Sequence, residues 1–225
     1  MLAIFDIGET LVSYEGVALN WTEHYSPAIL TALKELKSKD NKNGLELSLD
    51  VLSFYNTRKN PRKFEISEGE VTKKIANLLN IDELKFEDLF FQYFQRRSIL
   101  ESTAKETLRK LKNSGVSTAS LTDCAYGMPK RIIKNDISTI YELIDRLITS
   151  CEIGERKPSP KGIEILKKEF NKKDSEVYFI GNEIKDIECA KNAKVKSILI
   201  DPSGKKDFGQ DYSVKKLSDV LRIIL

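Results

Sequence analysis

Short apolar segments alternate with amphipathic helical segments in this chain, and the alternation restricts the possible folds more than any other feature. Four runs are read as buried strands, and a fifth is shorter and weaker. The four are Leu2–Phe5, Val116–Leu121, Val177–Ile180 and Val195–Ile200, and the fifth is Leu147–Thr149. Brief continuous apolar runs are typical of parallel strands that are covered on both faces. Helical patterns lie between them, at Ala104–Lys112, after the pair Ser159-Pro160, and at Asp186–Ala193. The sequence therefore predicts an α/β fold with a parallel sheet in a three-layer α/β/α core.

Residues 14–100 interrupt this alternation. They contain no clear strand, and they contain helical patterns at Pro27–Lys37, Glu70–Leu79 and Phe86–Arg97. A chain of 225 residues is long enough for one α/β domain with an insertion. We therefore predict a Rossmann-like core formed by residues 1–13 and 101–225, with an inserted α-helical domain formed by residues 14–100.

The charge balance and the cysteines exclude several classes of protein. The chain carries 37 basic and 34 acidic side chains, well interspersed, so nucleic-acid binding gains no support. Cys124, Cys151 and Cys189 form no CxxC or Cys/His pattern, which favours reduced cysteines over a zinc site or a disulfide framework. No stretch approaches the roughly 20 apolar residues of a membrane span, and Asp6 interrupts the apolar N-terminus before a signal peptide could form. We expect a soluble cytoplasmic protein without a nucleic-acid or membrane partner; no sequence signal fixes its oligomeric state.

Polar residues follow the predicted strands, at the edge where parallel sheets bind their ligands. Asp6 follows the first strand, Thr122 and Asp123 follow the second, and Lys157 lies in a loop beyond the third. The fourth strand is followed by Asn182, Glu183 and Asp186. A carboxylate, a hydroxyl, an ammonium and an acidic cluster would meet in one crevice, where they can attack an electrophile, neutralise an oxyanion and hold a divalent cation.

Four of these segments resemble the motifs of the haloacid dehalogenase superfamily in order and spacing. Phe5-Asp-Ile-Gly-Glu-Thr-Leu-Val resembles its first motif, Asp-x-Asp-x-Thr after a strand, and Ser120-Leu-Thr-Asp resembles the second. Arg156-Lys-Pro-Ser-Pro resembles the third, and the segment that begins Ile180-Gly-Asn-Glu-Ile-Lys-Asp resembles the fourth, Gly-Asp-x-x-x-Asp. The helical insertion of residues 14–100 sits where this family carries its cap domain. The resemblance covers the whole chain, and the four motifs together are far more specific than any one alone.

The resemblance implies a role for each motif residue. Asp6 is expected to be a nucleophile that forms a covalent aspartyl intermediate, Thr122 to hydrogen-bond the transferring group, and Lys157 to balance charge between nucleophile and substrate. A Mg²⁺ cofactor would be held by Asp6, the backbone carbonyl of Gly8, Asn182 and Asp186. Screening of a phosphoryl group by a lysine and a hard cation lets a carboxylate attack it. The expected reaction is Mg²⁺-dependent hydrolysis of a small phosphate ester.

Two positions depart from the family pattern. Phosphatases of the family carry a second Asp two residues after the nucleophile, where it protonates the leaving group, and this chain has Gly8 there. Asn182 replaces the first Asp of the fourth motif, which predicts weaker Mg²⁺ affinity because an amide brings no charge. These departures keep two alternatives open: a metal-independent dehalogenase of 2-haloacids, and a catalytically weak member that binds a phosphorylated ligand or a protein partner.

Other polar residues carry weaker expectations. Glu9 could replace the missing acid, although an outward orientation is favoured, and Asp123 and His24 are expected in supporting or packing roles. The most basic segment of the chain lies in the insertion and includes Arg58, Lys59, Arg62 and Lys63. A charge run of this kind is more often a solvated loop than a contact for an anionic substrate.

Overall fold

A computed structural model describes residues 1–17, 21–38 and 40–225 of the chain. The strands are β1 (Leu2–Phe5), β2 (Val12–Tyr14), β3 (Ser98–Leu100), β4 (Ser117–Thr122), β5 (Arg146–Thr149), β6 (Val177–Gly181), β7 (Lys196–Ile200) and β8 (Tyr212–Val214). The α-helices are α1 (Tyr25–Glu35), α2 (Asn41–Tyr55), α3 (Glu70–Leu79), α4 (Glu83–Gln95), α5 (Ala104–Asn113), α6 (Lys130–Asp136), α7 (Ser150–Ile153), α8 (Lys161–Glu169), α9 (Ile184–Asn192) and α10 (Leu221–Ile224). In the described ranges, no helix combines the length and apolar character needed to cross a membrane.

A six-stranded parallel sheet forms the centre of the fold, in the order β5-β4-β1-β6-β7-β8. The central strand β1 is completely buried because alternate side chains enter two different hydrophobic clusters. Ala3 and Phe5 belong to one cluster, and Leu2 and Ile4 belong to the other. Both faces of the sheet are therefore covered, and the predicted Rossmann-like α/β fold is confirmed.

Four helices, α1 to α4, occupy most of the sequence between β2 and β3 and pack against one another. Helix α4 begins after Asp82, whose carboxylate accepts a hydrogen bond from the Lys85 amide at 2.9 Å. Its inward face carries four fully buried phenylalanines: Phe86, Phe90, Phe91 and Phe94. Their spacing repeats with the helical period, so one aromatic stripe joins α4 to its neighbours.

The expectation of no strand within residues 14–100 is wrong, because β3 lies there. It pairs antiparallel with β2, with Val12 opposite Leu100 and Tyr14 opposite Ser98. Three-residue strands are too short for their side-chain alternation to be read from the sequence. The division into a core of residues 1–13 and 101–225 and a helical domain of residues 14–100 stays a prediction, and residues 18–20 and 39 lie outside the described part.

Candidate active site

Four residues predicted to act together lie at the carboxyl edge of the sheet. Asp6 directly follows β1, Thr122 is the last residue of β4, and Asp186 lies in the first turn of α9, after β6. Lys157 lies in the loop between α7 and α8. All four are buried, and all except Asp186 line a cleft of about 1230 Å³. Parallel strands present their carboxyl ends at one edge, which brings residues distant in sequence to one place.

Lys157 bridges two carboxylates at the floor of this cleft. Its Nζ atom lies 2.6 Å from Oδ1 of Asp6 and 2.6 Å from Oδ1 of Asp186. The two oxygens contact the same nitrogen, so they are separated by at most twice that distance. The side chains of Lys157 and Asp186 are 2% and 1% exposed, and that of Asp6 is 9% exposed. A buried ammonium between two buried carboxylates compensates much of the cost of removing all three from water.

The other oxygen of Asp186 anchors the start of α9. Oδ2 accepts hydrogen bonds from the backbone amides of Asn182 and Glu183, both at 3.0 Å. Gly181 makes this contact possible, because a Cβ atom there would overlap the carboxylate of Asp186. Asp186 therefore has both oxygens engaged, one by Lys157 and one by the amides at the helix N-terminus.

Burial and charge act in opposite directions on the two central groups. Burial, reinforced by Asp186, raises the pKa of Asp6 to about 6 even though Lys157 and Lys185 lower it. For Lys157, burial disfavours the ammonium, but the carboxylates of Asp186 and Asp6 raise its pKa well above the ordinary value. The site thus combines a permanently charged lysine with a carboxyl group that is ionised at neutral pH and protonated in mild acid.

Gly8 and Asn182 line the same cleft as Asp6. The side-chain oxygen of Asn182 accepts a long hydrogen bond, 3.4 Å, from the hydroxyl of Thr10. A Cβ atom at Gly8 would meet no heavy atom within 4 Å. Within the described ranges, no group of three or more His, Cys, Asp or Glu side chains is arranged to hold a metal ion. A cation at this site would therefore depend on backbone and amide oxygens as well as on Asp6.

A chain of ion pairs links the segment 58–65 to the core at two places, and we call it the ion-pair chain. Arg58 pairs with Glu183 at 2.8 Å, and Glu183 pairs with Lys185 at 2.9 Å. Asp123 then contacts both Lys185, at 3.4 Å, and Arg156, at 3.6 Å. Glu65 pairs with Arg156 and, at 3.0 Å, with Arg62. The positive and negative groups alternate along its length. The two ends of the ion-pair chain, Arg58 and Arg62, both lie in the short segment between α2 and α3.

The charges of the ion-pair chain influence the carboxylate of Asp6. Burial alone would raise the pKa of Asp123, but Lys157, Arg156 and Lys185 lower it overall. Burial likewise opposes ionisation of Glu183, yet Lys185 and Arg58 lower its pKa to about 2. Lys185 also lowers the pKa of Asp6, so it acts on this carboxylate as a second cation in addition to Lys157.

The sequence analysis predicted neither the role of Lys185 nor the position of the basic loop at the cleft. Arg58, Arg62 and Lys63 line the cleft, whereas a solvated loop was favoured. Lys185 directly precedes the motif residue Asp186, which was the available signal for it. Glu9 is exposed at the cleft, and its backbone has a positive φ of 55°.

Comparison with known proteins places this geometry in a family. Residues 1–194 match the family model described as haloacid dehalogenase-like hydrolase. The chain belongs to the haloacid dehalogenase-like hydrolases. The resemblance predicted from the four motifs is therefore confirmed, and the protein is a hydrolase by family.

Two curated relatives of this haloacid dehalogenase-like hydrolase act on phosphorylated compounds according to their names. Ribulose-1,5-bisphosphate 5-phosphatase from Halopiger xanaduensis is 26% identical over 127 residues, which are 56% of this chain and 52% of that protein. Pyrophosphatase PpaX from Bacillus cereus is 22% identical over 223 residues, 97% of this chain and 96% of that protein. The matched region thus spans about half the length of the first relative and nearly all of the second.

Solved structures with the same fold include both a phosphatase and a dehalogenase. A HAD phosphatase from Thermococcus onnurineus superposes with a TM-score of 0.68 and 18% identity, over 99% of this chain and 97% of that one. A 2-haloacid dehalogenase from Pseudomonas syringae pv. Tomato DC3000 gives a TM-score of 0.67 and 17% identity over the same shares. The fold of this haloacid dehalogenase-like hydrolase is therefore compatible with either chemistry, and the choice depends on the site residues.

Proposed function

We propose that this hydrolase cleaves small phosphate esters, with Asp6 as the nucleophile. The observation that carries the proposal is the contact of 2.6 Å between the Lys157 ammonium and the Asp6 carboxylate at the floor of the cleft. An anionic nucleophile and an anionic phosphoryl group repel each other, and a buried cation beside them removes that repulsion. The phosphatase names of the two curated relatives support the same class of substrate.

The reaction would proceed in two displacements at phosphorus. A carboxylate oxygen of Asp6 forms a bond to phosphorus while the ester oxygen leaves with the electron pair of the broken bond. Water then attacks the aspartyl phosphate, loses a proton, and releases inorganic phosphate and the free carboxylate. Lys157 would neutralise the phosphoryl oxygens, and the hydroxyl of Thr122, at the end of β4, would donate a hydrogen bond to one of them.

The residues at the cleft fit a weakly held Mg²⁺ ion. Asp6 has a second carboxylate oxygen beside the one that contacts Lys157, and the Gly8 carbonyl and the Asn182 amide oxygen complete a set of hard donors. Asp186 would join as a direct ligand only after releasing Lys157 or the backbone amides that hold it. Bound Mg²⁺ would supply further positive charge at the phosphoryl oxygens. Because Mg²⁺ is commonly bound by one or two carboxylates together with substrate phosphates, we propose that binding depends on substrate.

Gly8 favours one second candidate, a dehalogenase that needs no metal. A halide leaves carbon without a proton, so an enzyme that removes halide has no need of the acid that Gly8 replaces. The ammonium of Lys157 also contacts both carboxylates, Asp6 and Asp186, and so balances their charge in part without a metal ion. We rank this candidate second because both curated relatives carry phosphatase names.

The helical insertion would select the substrate. Arg58, Arg62 and Lys63 line the cleft; Arg58 is paired with Glu183 and Arg62 with Glu65, and a bound anion would compete with these carboxylates. We propose that the insertion acts as a cap, with these side chains meeting the anionic substrate and excluding water from the reacting atoms.

A hydrolysis screen tests the proposal. The enzyme is assayed against phosphorylated metabolites, 4-nitrophenyl phosphate and 2-haloacids, with Mg²⁺ and with EDTA, and Asp6→Asn serves as the matched control. We expect turnover of esters that requires Asp6 and rises with Mg²⁺. Turnover of haloacids in EDTA would replace the proposal with the second candidate. Thermal stabilisation by phosphate esters without any turnover would indicate a binding protein.

A further inference from the structure

Cys124 and Cys151 lie side by side beyond the ends of two adjacent parallel strands. Thr122, at the end of β4, is paired with Thr149, at the end of β5, and each cysteine follows its threonine by two residues. Beyond the strand ends, the Cys124 amide donates a hydrogen bond to the Ser150 hydroxyl at 2.8 Å. Ser150 begins α7 and directly precedes Cys151, so this bond holds the segment of Cys124 against the first turn that carries Cys151.

The two thiols are close enough to influence each other's ionisation, and both cysteines are in the free thiol form. The Cys151 thiol lowers the pKa of Cys124, and Cys124, with burial, raises the pKa of Cys151. Cys124 is thus the more acidic member of the pair; it is buried, and it belongs to the lining of the active-site cleft, the side from which a small oxidant would have to reach it.

We propose that Cys124 and Cys151 form a redox-active pair that hydroperoxides convert into an intramolecular disulfide at the margin of the active site. The Cys124 thiolate attacks a peroxide oxygen, so that an S–O bond forms, the O–O bond breaks, and water or an alcohol leaves. The Cys151 sulfur then attacks the sulfenic acid, an S–S bond forms, and a second water leaves with the thiol proton. Two thiols are oxidised and one peroxide is reduced.

Cys189 is different and provides an internal control. Its thiol is completely buried and donates a hydrogen bond to the Ser159 carbonyl at 3.1 Å. Burial raises the pKa of Cys189 to about 12, so it carries almost no thiolate at neutral pH. The structure therefore separates one reactive pair from one inert cysteine.

The pair is mechanically connected to the catalytic residues. The Cys124 carbonyl accepts a hydrogen bond from Arg156 at 3.0 Å, and the neighbouring Asp123 carboxylate accepts one from the Lys157 amide at 3.0 Å. Closing a disulfide changes the side-chain torsions of Cys124 and pulls on the segment that holds Lys157. Oxidation should therefore lower turnover, and reduction with dithiothreitol should restore it.

A thiol count tests the pair without any substrate, so its outcome is independent of the proposed function. The reduced protein is treated with hydrogen peroxide, the peroxide is destroyed, and free thiols are counted after denaturation. We expect the count to fall from three to one in the wild type and from two to zero in Cys189→Ser. The intact mass should decrease by about 2 Da, reversibly, with one peptide joining Cys124 to Cys151.

Single substitutions decide the result. In Cys151→Ser and in Cys124→Ser, the dithiothreitol-reversible loss of two thiols should disappear. Cys124 is the more buried of the two residues, so Cys151→Ser alone decides the result if Cys124→Ser does not fold. The proposal is overturned if the wild type keeps all three thiols under conditions that oxidise a free dithiol peptide. A linked peptide that contains Cys189, or a disulfide-bonded dimer on a non-reducing gel, would overturn it equally.

Discussion

The Nζ atom of Lys157 lies 2.6 Å from Oδ1 of Asp6, and the two side chains are almost completely withdrawn from solvent. The same contact therefore matters for chemistry and for stability. A buried carboxylate that loses its cation is a costly buried charge, and its pKa rises, so that less of it is in the ionised form that could attack a substrate.

Asp6→Asn should abolish turnover and leave the fold intact. The amide keeps the shape of the carboxyl group but cannot form the covalent intermediate, and loss of a nucleophile typically costs several powers of ten in rate. Initial rates and circular dichroism on the same preparation provide the measurement. Activity above about one per cent of wild type would count against covalent catalysis by Asp6.

Lys157→Met should be both inactive and unstable. The substitution leaves Asp6 and Asp186 buried without their shared cation, and breaking a buried ion pair costs about 3–5 kcal/mol. Turnover should fall by about 100-fold or more, the loss expected for one group that stabilises transition-state charge.

Lys168→Met is a matched control for that variant, because Lys168 is an exposed lysine on α8. Its free energy of unfolding, from urea titration, should stay within about 0.5 kcal/mol of wild type. If both variants lose the same stability, the buried bridge of Lys157 is not the cause.

Turnover in EDTA should rise with pH along an acid limb near pH 6, since Asp6 has a pKa of about 6 and acts as the ionised form. Mg²⁺ favours the carboxylate, so its addition should move the limb to lower pH. The folded state binds this proton more tightly than the unfolded state, so the contribution of Asp6 to the free energy of unfolding decreases as pH rises from about 4 to about 6. An acid limb at the same pH with and without Mg²⁺ would argue against Asp6 as a metal ligand.

Gly8→Asp should raise the turnover of alkyl phosphates. A Cβ atom at position 8 meets nothing within 4 Å, and the backbone there is outside the left-handed region, so the side chain fits. General acid assistance is typically worth about 100-fold to 10,000-fold, and even partial placement should give about tenfold. Gly8→Asn is the matched control, since it has the same shape without an acidic proton.

The wild type should accordingly cleave 4-nitrophenyl phosphate far faster than alkyl phosphates, because a nitrophenolate leaves without a proton. A rate that does not depend on leaving-group pKa in a chemistry-limited assay would mean that another group, such as Glu9, donates the proton.

Arg58→Met should raise the KM for an anionic substrate several-fold with little change in stability. The Arg58 side chain is 50% exposed, and ion pairs of this kind contribute only about 0–1 kcal/mol. Lys59→Met is the control, because Lys59 belongs to the same loop but does not line the cleft. Equal KM values for the two variants would remove Arg58 from substrate binding.

The convergence of Asp6 and Asp186 could be predicted because each follows a readable buried strand, and parallel strands end at one edge. Lys157 lies beyond α7, and its Lys-Pro step rather than a strand end indicated its position. The sequence pattern that indicates a strand was strong where the side chains are uniformly apolar, as in β1. It was weak in β8, which has two exposed residues out of three.

Helix α2 was also missed, and its composition explains why. Its buried residues are Gly44, Ser48, Val51 and Leu52, so two small residues interrupt the apolar stripe that marks an amphipathic helix. The contacts of Lys185 with Asp123, and of Arg58 with Glu183, depend on how loops fold over the sheet edge. No local pattern encodes such long-range pairs, so they become visible only in three dimensions.

The antiparallel pairing of β2 with β3 has a consequence for how this protein can change. The chain enters β2 just after Leu11 and leaves β3 just before Glu101, whose amide donates a hydrogen bond to the Leu11 carbonyl at 2.8 Å. The entrance and the exit of the helical insertion are thus fastened to each other rather than to distant points of the sheet. An insertion that is attached through the antiparallel pair of β2 and β3 can be replaced by a longer, shorter or unrelated one without altering the register of the parallel strands. We expect that the residues between β2 and β3 can therefore change in length and composition while Asp6 and the strand edge around it stay in place.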